Sequence, residues 1–73
     1  MKESEKDLIQ ESFVSIRAYL NNPKELENEI SKVLEDSDNL EEFIEEFSEL
    51  SSNTSDTTQK TDQRIFLNNL KNR

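Results

Sequence analysis

The sequence predicts an all-α fold: a small bundle of three amphipathic helices, then a polar linker and a short C-terminal helix. Three observations lead there. Apolar residues recur every three or four positions in successive segments, the period of one helical face. Asn, Asp and Pro stand between those segments where helices start and stop. The 73 residues form one uninterrupted run of such segments, which leaves room for a single domain with a thin core.

The first helix is expected over about residues 4–21. Ser4 with Asp7 three residues on makes a capping arrangement, and Ile9, Phe13, Ile16 and Leu20 share a narrow stripe flanked by Leu8 and Tyr19. Val14 falls off that stripe, facing solvent or a partner. The run stops at "NNPKE", where Asn22 caps, Pro23 supplies the preset φ of a first helical position and Glu25 sits at the third. Leu26, Ile30, Val33 and Leu34 then define a second helix over 23–36. A connection this short predicts that the two helices pack as an antiparallel hairpin.

"DSDNLEE" opens the third helix, about 39–51, with Asp38 as its N-cap and Glu41 three residues later. Its apolar stripe is Leu40, Phe43, Ile44, Phe47 and Leu50. From Ser51 to Arg64 no apolar residue occurs, so residues 52–61 read as a mobile polar linker between an acidic bundle, 1–51, and a basic, apolar C-terminal segment, 62–73. There Asp62 is placed to cap a short helix over about 62–72. A helix of that length is marginal alone, so it must dock. Phe66, Leu67 and Leu70 would dock it either on this chain's own core or in an apolar groove of a partner.

Composition excludes several chemistries. Without cysteine or histidine there is no disulfide, thiol nucleophile, imidazole base or Cys/His zinc site. Without glycine there is no phosphate-cradling loop of the usual kind. Asp36, Asp38 and Glu41 faintly echo a calcium loop but lack its glycine and its twelfth-position glutamate. No metal or cofactor is therefore expected. No apolar run approaches the roughly 18 residues that span a bilayer, and "MKESEKD" lacks the apolar region of a signal peptide, so a cytoplasmic protein is expected. The net charge of −8 disfavours direct binding to nucleic acid or an anionic membrane and favours a basic partner. Residues 1–59 carry a net −11 and residues 60–73 a net +3.

The acid is concentrated in "NLEEFIEEFSEL". On a helical wheel its phenylalanines face inward, while Glu41, Glu42, Glu45, Glu46 and Glu49 occupy the opposite side. Three like-charge i,i+4 pairs follow, each costing roughly 0.2–0.5 kcal/mol. Residues 35–50 hold eight acids and no base, whereas a face that serves only solubility mixes signs. The five glutamates are the candidate charge-complementary contacts, and Phe66, Leu67 and Leu70 the candidate apolar ones. Nothing suggests the desolvation that would tune a carboxylate for acid–base catalysis, so the chain does not read as an enzyme.

The function expected is that of a small acidic protein-binding regulator, an inhibitor or adaptor of the antitoxin, immunity or phage-inhibitor kind. Its partner would be a protein with a basic surface or apolar groove. Three other readings compete. Glu42, Glu45 and Glu49 form a ridge with axial steps of roughly 4.5 and 6 Å, permissive for a nucleic-acid mimic. A thin core would also suit a structural subunit of a helical complex, or a homodimer. Finally, Ser37 after Asp36 in "EDSDNL" resembles the acyl and peptidyl carrier domains, which are small, acidic and helical; the resemblance implies modification at Ser37. The chain departs from that pattern, with Asp38 and Asn39 intervening before Leu40 and a helix at "NNPKELENEI" where carriers have a long loop.

Overall fold

Asn22 and Pro23 do locally what their positions predict. The Asn22 side chain accepts the Glu25 N–H at 3.2 Å, Pro23 occupies the first turn, and the helix runs Pro23–Asp36. It is the second of four helices in the computed structural model, which describes residues 1–73 and has no strand. In chain order these are α1 Glu3–Ile16, continued by a 3₁₀ turn Arg17–Tyr19, then α2 Pro23–Asp36, α3 Leu40–Asn53 and α4 Thr57–Lys71.

Several boundaries differ from the sequence expectation, each for a local reason. α1 starts before Ser4, because the Glu5 carboxylate reaches back to the Lys2 N–H at 3.3 Å and holds the first turn. Its α-helical part ends at Ile16, not near residue 21; the chain tightens to 3₁₀ geometry, closing with Leu20 N–H on the Arg17 carbonyl at 3.3 Å, before it turns toward α2. α3 is capped by Asn39, whose side chain accepts the Glu42 N–H at 2.8 Å, and not by Asp38 one residue earlier.

The largest correction concerns residues 52–61. α3 continues through Asn53, α4 begins at Thr57, and only Thr54 to Asp56 connect them. Asp56 accepts the Gln59 N–H at 3.0 Å and so starts α4 five residues before the expected position. Asp62 is therefore no cap of its own helix but an interior residue of α4, 2% exposed.

α4 lies at the centre of the packing. α1 rests chiefly on α4 instead of pairing with α2 as a hairpin, while α2 contacts both α3 and α4. The reason is apolar area: Phe66, Leu67 and Leu70 of α4 are buried with Ile9, Phe13 and Ile16 of α1, Leu26 and Ile30 of α2, and Phe43 and Phe47 of α3. Phe43, Phe47 and Phe66 form an aromatic trio with centroid separations of 5.6, 6.2 and 5.2 Å, one pair stacked and two edge-on. Such contacts add roughly 0.5–1.5 kcal/mol per pair beyond area burial.

Carboxylates from other helices finish the helix starts. Glu5 of α1 accepts the Leu40 N–H at 3.1 Å, placing an anion at the positive end of α3. Asp62 of α4 accepts the Asn21 N–H at 2.9 Å and the Asn22 N–H at 2.8 Å just before α2. Local side-chain caps and these tertiary ones together fix where α2 and α3 begin.

Candidate functional site

On α3 the five glutamates divide into two groups. Glu41, Glu45 and Glu49 are exposed and, at i, i+4 and i+8, make one ridge with axial steps of about 6 Å. Glu42 and Glu46 are half-buried and turned toward the connection that precedes the helix. Glu42 accepts the Asp38 N–H at 3.4 Å, and Glu46 accepts the Ser37 hydroxyl at 2.7 Å. Two of the five candidates thus help hold the α2–α3 corner, and three face outward. Glu35, Asp36 and Asp38 are exposed at that same corner and extend the acidic surface.

None of these carboxylates has an ion-pair partner. The fold contains a single ion pair, Arg73 with Glu11 at 3.8 Å, on the α1–α4 side. Arg73 of the C-terminal segment also turns to α1 and its own helix, donating to the Glu11 carbonyl, Ser15 and Asn69. No group of three or more acidic side chains converges to hold a metal ion.

Phe66, Leu67 and Leu70 lie inside the protein's own core, at most 6% exposed. The structure does not bring them together with the glutamate ridge. Ser37 is likewise buried; its hydroxyl shares one proton between the Val33 carbonyl at 2.7 Å and Glu46, at the α2–α3 corner.

The large apolar side chains that are exposed are Val14, 66% exposed, and Tyr19, 74% exposed. Between α1 and α2 a cleft of about 130 Å³ reaches down to Ile9, Phe13, Ile30 and Leu34. It is large enough for one side chain and holds no converging polar groups of the sort that orient a reacting substrate. No helix is long and apolar enough to cross a membrane.

Glu5 and Glu29 have altered acidity. The hydrogen bond from the Leu40 N–H holds Glu5 below the ordinary glutamate range against partial desolvation, with help from Lys2. Burial pushes Glu29 up, only partly offset by a hydrogen bond from Gln63. Periodicity could not flag either group, because each depends on a residue at least 34 positions away.

No family model matches the chain, and no curated protein and no solved structure is similar enough to serve as a relative.

Proposed function

We propose that this protein is a small acidic binding regulator, an inhibitor or adaptor that occupies a basic surface of a larger protein. It acts by contact and not by catalysis. The observation that supports this reading is the ridge of Glu41, Glu45 and Glu49: three exposed carboxylates, one turn apart, with no ion-pair partner. Two like-charge i,i+4 contacts along it cost roughly 0.4–1 kcal/mol together. A basic partner converts that repulsion into attraction and steers the encounter. Phe66, Leu67 and Leu70 have no part in the interface, since they are spent on the core.

The test is retention of proteins from the producing cell on immobilised wild-type chain and on a Glu41→Lys/Glu45→Lys/Glu49→Lys variant that circular dichroism shows to be folded. A partner held by the ridge binds the wild type, elutes as salt rises and is lost from the variant. Equal retention by both chains would overturn the proposal. Competition with duplex DNA separates the two kinds of target, because only a nucleic-acid-binding partner would be displaced by it.

A further inference from the structure

Gln63 is completely buried in α4, and its amide is satisfied on one side only. Its Nε2 donates to Glu29 Oε2 of α2 at 2.8 Å and to Thr54 Oγ1, at the end of α3, at 3.1 Å. Thr54 passes its own proton to the Leu50 carbonyl at 2.8 Å, so it cannot donate back. The Gln63 Oε1 has no hydrogen-bond partner. Meanwhile half-buried Glu29 uses one carboxylate oxygen on Gln63 and leaves the other unbonded.

A buried amide oxygen without a donor is destabilising, and the group beside it, Glu29, can only accept while it is ionised. One proton resolves both deficits. A carboxylic acid facing a primary amide forms a closed pair of hydrogen bonds, acid O–H to amide oxygen and amide N–H to acid carbonyl. We infer that Glu29 and Gln63 form a proton-operated latch between α2 and α4. A proton taken from solvent by the free oxygen of Glu29 is donated to Gln63 Oε1 while the existing Nε2 bond is kept.

The surroundings favour uptake of that proton. Burial disfavours the Glu29 carboxylate, Glu25 on its own helix and Asp62 on α4 add negative charge, and Lys32 on α2 opposes them more weakly than burial acts. Thr54, the residue that ends α3, contributes an uncharged hydroxyl to the latch. The sign follows from proton linkage. A carboxyl whose folded pKa lies above its unfolded value binds more protons when folded, so its contribution to stability falls as pH rises from the ordinary glutamate value through the raised one. The latch closes as pH falls through the raised Glu29 value and opens above it.

The experiment compares wild type with Glu29→Gln, whose amide reproduces the closed pair at every pH. The Tm difference, Glu29→Gln minus wild type, should be near zero well below the ordinary glutamate range. It should become positive as pH rises through the raised Glu29 value and level off above it. In parallel, the Gln63 side-chain amide resonances of the wild type should titrate with Glu29 at a midpoint above the ordinary glutamate value, and those of Glu29→Gln should stay flat. A Tm difference that does not change with pH, or Gln63 resonances that do not follow Glu29, would overturn the latch.

Discussion

Asp62, in the interior of α4, accepts the backbone N–H of Asn22, the residue that caps α2, at 2.8 Å. The same carboxylate takes the Asn21 N–H at 2.9 Å and its side-chain Nδ2 at 3.1 Å. One nearly buried anion thus satisfies three donors in the turn between α1 and α2. Removing it strands two backbone N–H groups, and Asp62→Ala is expected to cost about 3 kcal/mol. A domain of this size holds only about 4–11 kcal/mol in total. Asp62→Asn should recover less than half of the loss, because its NH₂ must face one of the same N–H donors. Urea unfolding midpoints of the three chains check both statements.

That relationship also explains what the sequence hid. Apolar periodicity located the seven core residues of α1 to α3 and left Phe66, Leu67 and Leu70 open between core and partner, while "NNPKE" placed the start of α2 at Pro23, because a side-chain cap and a proline act over three or four residues. The start of α4 escaped for the opposite reason. Its first turns carry no apolar residue, and its inward positions are Asp62 and Gln63, whose burial depends on partners more than thirty positions away. A polar inward face looks like a linker in sequence. The local signal that was present is Asp56 followed three residues later by Gln59, a helix-start spacing. On α3 the wheel put all five glutamates outward. It could not show that Glu42 and Glu46 bend back to the α2–α3 corner.

The aromatic trio makes the C-terminal helix part of the fold. Phe66 is fully buried against Phe43 and Phe47, so Phe66→Ala is expected to cost about 3–5 kcal/mol. A chain ending at Thr61 loses Phe66, Leu67, Leu70 and the Asp62 clasp together. It should show broad loss of helical circular dichroism across α1 to α3, not merely the loss of twelve residues' signal. A truncated chain that kept the wild-type Tm would refute the central placement of α4.

Glu5 contributes to the acid limb of the stability profile. The Leu40 N–H bond holds its folded pKa below the unfolded value, so its contribution is fully present above about pH 4.3 and is lost as pH falls through the lowered folded value. This is opposite in sign to the effect of Glu29. Glu5→Gln should therefore lower Tm near neutrality, and the gap from wild type should narrow on acidification below about pH 4.3. Thermal melts at closely spaced pH values measure that gap directly.

Glu45 lies between Glu41 and Glu49 on the outward ridge, with like charge one turn away on either side. Glu45→Lys replaces two repulsive i,i+4 contacts by two attractive ones and should raise stability by about 1 kcal/mol at low salt, less as salt is added. Melting in two salt concentrations checks this without any partner. The same substitution should weaken the proposed complex, since it puts a cation where a basic surface requires an anion. A chain that becomes more stable and binds less separates loss of binding from loss of folding. If Glu45→Lys raised Tm and left binding to a captured partner intact, the carboxylate at the centre of the ridge would have no role in recognition.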